Sequence, residues 1–369
     1  MIIMNKVLSI FGTRPEAIKM APVVKELEKR DEIESVVCVT AQHRDMLDQV
    51  LKAFDIKPDY DLDIMKPGQT LSYITAEVIK GIEEVIIKEK PDVILVHGDT
   101  TTAMAAAIAG FYQQVKVGHV EAGLRTFDKY SPFPEEMNRQ IIDNIADYLF
   151  APTELSKENI GEKLNRGQKV YITGNTAIDA LKTTVTDSYS NPDLDWVGEG
   201  NRLILVTAHR RENLGEPMRN IFKAIRRLTD EFDDVRVIYP VHLNPKVQET
   251  AKEILGNNDR IKLIEPLDVL DFHNYMEHAY FIMSDSGGVQ EEAPSLGKPV
   301  LVLRDTTERP EGIKAGTLKL VGTDTEDVYA AAKELLTDDK AYATMSEAKN
   351  PYGDGYASKY IVDALLEEE

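Results

Sequence analysis

The sequence predicts an α/β protein built from two doubly wound, Rossmann-like domains that face a cleft. Short runs rich in Val, Ile and Leu alternate with amphipathic helical runs along all 369 residues. Most of these short runs are continuously apolar, which is typical of parallel strands that helices cover on both faces. The length suits two domains, and a hydrophobic content of 43% supplies two separate cores.

The predicted strands form two series, one in each half of the chain. Because strand, helix and strand repeat within each series, each half is expected to form a doubly wound unit. The first series is Val7–Phe11, Val36–Thr40, Val93–Val96, Val115–Val120, Tyr148–Ala151 and Val170–Thr173. The second series is Leu203–Thr207, Val235–Tyr239, Ile261–Ile264, Phe281–Ser284, Val300–Leu303 and Leu318–Val321.

The alternation breaks once, between residues 183 and 202, where polar residues surround Asn191-Pro192. A polar stretch that contains Pro and Gly favours a linker or a surface loop. The last predicted helix, Ala357–Leu366, is expected to return to the first half. The expected domains are therefore residues 1–173 with 357–369, and residues 174–356.

Charge and composition exclude several classes of protein. A formal net charge of −20 repels polyanions, so binding to nucleic acid or to an anionic membrane surface is not expected. Cys38 is the only cysteine, which leaves no disulfide framework and no Cys-rich metal site. The first predicted strand begins close to the N-terminus without a signal-peptide pattern, and no apolar run reaches the ~18 residues of a membrane span. We expect a cytoplasmic protein.

Polar clusters directly follow six of the predicted strands. In open parallel sheets, ligands bind beyond the carboxyl ends of the strands. Six clusters at equivalent positions therefore predict one ligand site. They are Gly12-Thr13-Arg14-Pro15-Glu16, Gln42-His43-Arg44, His97-Gly98-Asp99, Glu121-Ala122-Gly123-Leu124-Arg125, His209-Arg210-Arg211-Glu212-Asn213 and Ser284-Asp285-Ser286-Gly287-Gly288.

The first cluster opens a helix. Thr13 and Glu16 have the spacing of a capping box, and Pro15 suits the first helical turn. Arg14 would then stand at the positive end of the helix, where it either contacts a phosphate or is simply solvated. Lys19 lies in a mostly apolar turn, and its side chain either reaches outward or points into the site.

The last cluster is the strongest local indication of a phosphate site. A buried strand ends at Ser284, and Gly287 and Gly288 precede a predicted helix that contains Glu292. Glycines let a backbone approach a diphosphate closely, and a carboxylate one turn inside the helix can accept hydrogen bonds from ribose hydroxyls. A tight strand-to-helix turn without a ligand is the alternative. Neither a G-x-G-x-x-G nor a Walker A pattern occurs, which disfavours an NAD-dependent enzyme and a P-loop ATPase.

Carboxylates supply the candidate acid–base groups. Asp99 and Glu121 each follow an apolar strand and neighbour a histidine. Paired carboxylates suit proton transfer at a sugar carbon. Glu135 and Glu136 begin a predicted helix, where acidic residues also occur for stability alone.

His209 is a further candidate site residue, and two pairs of a histidine with a carboxylate are candidates for a metal site. His209, beside Arg210, either stabilises charge on a phosphate oxygen or is structural. His97 with Asp99, and His119 with Glu121, lie two residues apart, but no further ligands follow at metal-site spacing. No metal site is therefore predicted.

Seven of these segments resemble the non-hydrolysing UDP-N-acetylglucosamine 2-epimerases, in order and over nearly the whole chain. The resemblance implies a GT-B-like fold, no redox cofactor, a homodimer and a C-terminal domain that binds UDP. It also implies interconversion of UDP-GlcNAc and UDP-ManNAc, by elimination of UDP to a bound 2-acetamidoglucal and re-addition. The segments are Gly12 to Pro22, Thr40 to Arg44, Val96 to Thr100, His119 to Arg125, Pro134 to Arg139, His209 to Asn213 and Ser286 to Glu292.

The resemblance also assigns residues to roles. The implied catalytic residues are Asp99, Glu121, Glu135, Lys19 and His209. The implied substrate-binding residues are Arg14, Arg210, Ser286, Gly287, Gly288 and Glu292. Some family members are activated by a second substrate molecule, and the matching residues here are Gln42, His43, Glu136 and His242. Asp45 and Gly68 depart from several relatives in that region.

Three other functions remain open from the sequence. A hydrolysing epimerase that releases N-acetylmannosamine and UDP would share the fold and most motifs. A glycosyltransferase on the same scaffold would require an acceptor and would not exchange the hydrogen at C2. A binding protein without catalytic activity would have no need for Asp99, Glu121 and Glu135 together.

Overall fold

The chain forms two compact units. The computed structural model describes residues 5–40, 44–64, 66, 68–161 and 167–367. The N-terminal unit comprises Met1–Ala180 and Tyr352–Glu369, and the C-terminal unit comprises Leu181–Pro351. The sequence analysis placed the domain boundaries after residue 173 and before residue 357. Whether the domains fold independently within those boundaries stays a prediction.

The N-terminal unit is built on a seven-stranded sheet with the order β3-β2-β1-β4-β5-β6-β7. Every pairing in it is parallel. The strands are β1 Asn5–Phe11, β2 Ile33–Val39, β3 Tyr60–Asp61, β4 Val93–His97, β5 Lys116–Val120, β6 Tyr148–Ala151 and β7 Lys169–Ile172. The helices that begin in this part of the chain are α1 Arg14–Leu27, α2 Arg44–Ala53, α3 Leu71–Glu89, α4 Thr101–Tyr112, α5 Glu135–Ile145, α6 Glu154–Ile160 and α7 Thr176–Thr184.

The C-terminal unit is built on a six-stranded parallel sheet with the order β10-β9-β8-β11-β12-β13. Its strands are β8 Arg202–Thr207, β9 Val235–Pro240, β10 Ile261–Ile264, β11 Phe281–Ser284, β12 Val300–Val302 and β13 Leu318–Leu320. Its helices are α8 Pro192–Asp195, α9 Glu216–Glu231, α10 Pro245–Leu255, α11 Val269–His278, α12 Gly287–Glu292, α13 Pro310–Ala315, α14 Thr325–Thr337 and α15 Asp339–Ser346.

Both sheets have the doubly wound order of a Rossmann fold, so the predicted fold class is confirmed. The strand order reverses between β1 and β4 in the first sheet, and between β8 and β11 in the second. At such a switch point, the loops beyond neighbouring strands diverge and leave room for a ligand. The loops that follow these four strands carry four of the six predicted polar clusters.

Strand β8 explains why continuous apolar runs mark these sheets. Ile204 and Val206 pack into a core with α9, α10 and α14, whereas Leu203 and Leu205 pack into a second core on the other face. Successive side chains of a strand point to opposite faces, so a strand that is covered on both faces must be apolar throughout.

The stretch between residues 183 and 202 covers the C-terminal sheet, although its composition favoured a linker or a surface loop. Val185, Tyr189, Leu194 and Trp196 are partly buried against the second core of that unit. The segment is mostly turns and irregular structure, as the sequence predicted, with the short helix α8 inside it, and its apolar side chains are spaced singly among polar residues.

The last helix, α16 (Ala357–Leu366), belongs to the N-terminal unit. The carboxylate of Asp179 accepts the backbone N–H groups of Ala357 (3.1 Å) and Ser358 (2.7 Å), which satisfies the start of this helix. Arg30, in the turn that follows α1, forms a 2.7 Å ion pair with Asp363 on α16. None of the helices in the described ranges is both long and apolar enough to cross a membrane.

A substitution at Gly123 tests the tight packing beyond β5. Gly123 has φ +82°, and an added Cβ would lie 2.1 Å from the carbonyl oxygen of Ser156. We expect Gly123→Ala to lower the free energy of unfolding by about 2–5 kcal/mol, from left-handed strain together with steric overlap.

The matched control is Gly200→Ala, since Gly200 has φ +80° and nothing within 4 Å of an added Cβ. Gly200→Ala should lower the free energy of unfolding only by the strain of its left-handed backbone, about 1–2 kcal/mol. Urea unfolding followed by circular dichroism measures both variants. Equal losses for the two would contradict the packing argument.

Candidate active site

The loops beyond β1 and β4 are joined by one buried carboxylate. The predicted capping box is confirmed: Thr13 is the N-cap of α1, and its side chain accepts the N–H of Glu16. Glu16 in turn accepts the N–H groups of Gly12 (3.1 Å) and Thr13 (2.8 Å) on one oxygen, and the hydroxyl of Thr100 (2.7 Å) on the other. Burial raises the pKa of Glu16. Arg14 lies half-buried in the first turn of α1.

Four charged side chains meet beyond β4 and β5, and we call them the carboxylate cluster: Lys19, Asp99, Glu121 and Arg139. Lys19 on α1 forms an ion pair with one oxygen of Glu121. Arg139 on α5 contacts Asp99 Oδ2 at 2.5 Å and Glu121 Oε2 at 3.6 Å. The side chain of Glu121 is 8% exposed and that of Asp99 is 32% exposed, so the second carboxylate is the more accessible.

Glu121 is held as a carboxylate in a strained position. Burial by itself would raise its pKa, but the charges of Lys19 and Arg139 outweigh burial and lower the pKa far below its ordinary value. Its backbone has φ +65°, a left-handed conformation that costs a non-glycine residue roughly 1–2 kcal/mol. Strain of this kind is concentrated at functional sites.

His97, the last residue of β4, points at the cluster. Its Nε2 lies 3.9 Å from Glu121 Oε2 and has no hydrogen-bond partner within the described part of the chain. The ring is 4% exposed, and burial lowers the pKa of His97 to about 3. His97 is therefore neutral at pH 7.

Helix α5 supplies the remaining predicted residues of the N-terminal unit. Glu135 is its first residue and is half-buried. Glu136 is buried and accepts the N–H of Thr126 (2.9 Å) and the side-chain amide of Gln140 (2.7 Å). Burial would raise the pKa of Glu136, but these hydrogen bonds lower it. The predicted regulatory residues Gln42 and His43 lie outside the described residues.

In the C-terminal unit, Asp285 organises the loop beyond β8. Its Oδ2 accepts the backbone N–H groups of His209 and Arg210, both at 2.8 Å, and the side-chain amide of Asn213 at 3.1 Å. The ring of His209 stacks on that of His242, with 5.4 Å between centroids and 6° between planes. His209 is partly exposed, and burial lowers its pKa despite the neighbouring Asp285.

The predicted helix after β11 is present and begins at Gly287, so the two glycines that were expected to precede it form its first turn. Ser286 donates its backbone N–H to Ser284 Oγ at 3.0 Å. A Cβ added to Gly287 would lie 3.0 Å from Arg309 Cζ, so any larger residue at position 287 would displace that guanidinium. Glu292, on the same helix as Gly288, lies 3.7 Å from the Nε2 of His273.

The structure thus brings the sequence-predicted residues together in two groups, one in each unit. Lys19, Asp99 and Glu121 meet in the first, and His209 and Arg210 lie beside the start of α12 in the second. No role was predicted from the sequence for Arg139, Asp285, Arg309 or His273. Arg139 lies in a segment that resembles the epimerases, and Asp285 lies in the polar cluster after β11. Nothing in either segment indicates that these two side chains are buried. Among the described residues, no three His, Cys, Asp or Glu side chains are placed to hold a metal ion.

Two Rossmann-like sheets with polar loops at both switch points define an α/β protein of the nucleotide-binding type. The sequence model of a family described as UDP-N-acetylglucosamine 2-epimerase matches residues 25–366. A UDP-N-acetylglucosamine 2-epimerase of Bacillus subtilis (strain 168) is 64% identical over 361 residues, which cover 98% of this chain and 95% of that protein.

Two solved structures are also similar to this chain. One from Listeria monocytogenes is 59% identical with a TM-score of 0.95, covering 99% of this chain and 97% of its own. The UDP-GlcNAc 2-epimerase of Neisseria meningitidis bound to UDP-GlcNAc is 49% identical with a TM-score of 0.86, covering 98% of this chain and all of that one (100%). The chain belongs to the UDP-N-acetylglucosamine 2-epimerase family and is an enzyme of the isomerase class.

The buried His97 gives a pH prediction for stability. Its folded pKa of about 3 lies below the unfolded value of 6.5, so below pH 6.5 the unfolded chain binds one proton more than the folded chain. Stability is therefore lost as the pH falls from 6.5 toward 3, by about 1.4 kcal/mol per pH unit from this residue.

We expect His97→Gln to lose less stability than the wild type over the upper part of this range, where the carboxylates do not yet titrate. Urea unfolding at several pH values between about 7 and 5 measures both proteins. Parallel pH profiles would show that His97 takes up a proton in the folded state as readily as in the unfolded one.

Proposed function

We propose that this enzyme interconverts UDP-N-acetylglucosamine and UDP-N-acetylmannosamine without hydrolysis. The observation that carries the proposal is the carboxylate cluster, where Asp99 and Glu121 share Arg139 and Glu121 also binds Lys19. Inversion at a sugar carbon requires one group to remove a proton and another to return it on the opposite face. The relatives that bear the name UDP-N-acetylglucosamine 2-epimerase support the choice of substrate.

The reaction balances without an external oxidant or reductant. The C2–H bond breaks and its proton moves to an enzyme carboxylate, the C1–O bond to UDP breaks, and a C1–C2 double bond forms. UDP leaves with the electron pair of the C1–O bond. Return of a proton to the other face of C2 and of UDP to C1 completes the inversion. Since no electrons leave the substrate, no redox cofactor is required.

The proposed proton-transfer groups are Asp99, Glu121 and Glu135. Glu121 is ionised and buried beside Lys19 and Arg139, so it provides a fixed negative charge with little access to water. Asp99 is the more exposed of the pair, and Glu135 begins α5, the helix that also provides Arg139.

The proposed UDP-binding groups lie mainly in the C-terminal unit. Ser286, Gly287 and Gly288 would present backbone groups to the diphosphate, and Glu292 would accept hydrogen bonds from the ribose. His209 and Arg210, held by Asp285, would stabilise the charge that develops on the departing phosphate oxygen. Arg14 is proposed as a further phosphate ligand from the N-terminal unit.

Regulation by a second substrate molecule is proposed from the resemblance, through Gln42, His43, Glu136 and His242. The stacking of His242 on His209 supports it, because a ligand that moves one ring would disturb the other. Glu136 is buried with both oxygens bonded, which leaves it little freedom to bind a ligand. A homodimer is also proposed on the same resemblance, and a cytoplasmic location is proposed from the sequence pattern.

Incubation with UDP-N-acetylglucosamine in deuterated water tests the reaction. We expect deuterium at C2 in both substrate and product, measured by NMR, with no stoichiometric release of UDP. Accumulation of UDP with free N-acetylmannosamine would instead identify a hydrolysing epimerase. Absence of exchange at C2, with transfer of the sugar to an added acceptor, would identify a glycosyltransferase.

Amide substitutions test the carboxylates individually. We expect Asp99→Asn and Glu121→Gln each to lower the rate of C2 exchange by at least about 10²-fold, because each removes a proton-transfer or charge-stabilising group. Glu158→Gln, at an exposed position on α6, serves as the control and should stay within about twofold of the wild type. Retention of full exchange in both site variants would overturn the catalytic roles of Asp99 and Glu121, whereas a lack of exchange in the wild type would indicate a binding protein without catalytic activity.

A further inference from the structure

His119, a fully buried residue of β5, has hydrogen-bond acceptors at both ring nitrogens. Its Nδ1 lies 2.5 Å from Asp143 Oδ1, and its Nε2 lies 2.7 Å from the carbonyl oxygen of Gly98. A carbonyl oxygen can only accept a hydrogen bond, and an ionised carboxylate can only accept as well. A neutral imidazole has one N–H and would leave one of these close pairs without a proton between them.

Asp143 is itself held in the ionised form. Its Oδ2 binds the guanidinium of Arg125 and accepts the N–H of Gly123 at 3.3 Å. Burial would raise the pKa of Asp143, but the charges and hydrogen bonds of His119 and Arg125 lower it. A protonated Asp143 beside a neutral His119 would leave Arg125 facing an uncharged acid in a buried site, which is the costlier arrangement.

A flipped ring does not resolve the donor count. Turning the imidazole by 180° would place carbon atoms opposite both Asp143 and Gly98, and both short contacts would lose their hydrogen bonds. The charged groups that face this ring are Asp143, which contacts it directly, and Arg125, which binds the other oxygen of Asp143. His97 is a further titratable group nearby, and it is neutral at pH 7.

We propose that the His119 ring carries a proton on both nitrogens and positions Asp99 by donating its Nε2–H to the Gly98 carbonyl. Gly98 has φ +67° and directly precedes Asp99. The Asp99 backbone carbonyl accepts the amide of Asn138 at 2.9 Å, and its carboxylate binds Arg139. His119 therefore fixes the turn from one side while α5 fixes it from the other.

The activity consequence of this proposal rests on the proposed function, whereas the protonation state does not. His119 is fully buried and acts through Gly98, so it is a positioning residue, and its loss should lower kcat more than it raises KM. A displacement of about 1 Å at a reacting group can cost 10²-fold in rate. We expect His119→Gln, which retains an amide donor but no charge, to lower kcat by about 10–100-fold with KM within about threefold.

The protonation state is tested by ¹⁵N NMR of the full-length wild-type protein labelled at its seven histidines. At about pH 8, where an ordinary histidine is neutral, we expect one ring with both nitrogens protonated. The signal should vanish in His119→Gln. If no histidine in the wild type is doubly protonated, the proposal is overturned, and this outcome requires no variant to fold.

Asp143→Asn provides an independent test, because an asparagine amide can donate to Nδ1 and lets the ring become neutral. We expect the second ring proton to be lost at the same pH while the Nε2–H to Gly98 remains. His278→Gln, at an exposed position on α11, is the matched histidine control and should retain both kcat and the NMR signal. An imidazolium in the wild type combined with an unchanged kcat in a folded His119→Gln would overturn the positioning role. Lack of C2 exchange by the wild type would instead refute the proposed function and leave the NMR result intact.

Discussion

The pairing of Glu121 with Lys19 and Arg139 is the interaction on which the rest of the N-terminal unit depends. A carboxylate that is 8% exposed loses most of its hydration, and only close cations and hydrogen bonds can offset that loss. Lys19 comes from α1, which precedes β5 in the sequence, and Arg139 comes from α5, which follows it. The ionised Glu121 thus fixes the relation of two helices to the sheet as well as the charge of the site.

The fold could be predicted because it follows from burial. Helices cover both faces of each sheet, so the strands appear as continuous apolar runs, and all twelve predicted strands are present within about three residues of their expected ends. The two-residue strand Tyr60–Asp61 was missed because it is short and half polar. The segment between residues 183 and 202 consists mostly of turns, as its composition predicted, but its packing against the sheet could not be predicted because its apolar side chains contact the sheet singly, without a regular period.

The candidate site could be predicted only as a set of loops. Parallel topology places every carboxyl end at one edge of a sheet, so polar residues that follow strands converge there. Which partner each residue contacts depends on side chains from other elements. Arg139 and Asp143 are on the same helix as Glu135, and only the packing of α5 against β5 reveals that both are buried. In the same way, the two short contacts of His119 involve residues 21 and 24 positions away in sequence.

The hydrogen bonds of Glu16 determine which residue types can occupy position 16. One oxygen receives three donors from Gly12 and Thr13, and the other receives the hydroxyl of Thr100. A hydroxyl can reverse its role and accept a hydrogen bond, whereas a backbone N–H cannot. Glutamine could therefore replace glutamate, with its oxygen toward Gly12 and its amide toward Thr100. The hydrogen bonds at the junction between the two loops require an acceptor of the right reach at one point, and they do not by themselves require a negative charge.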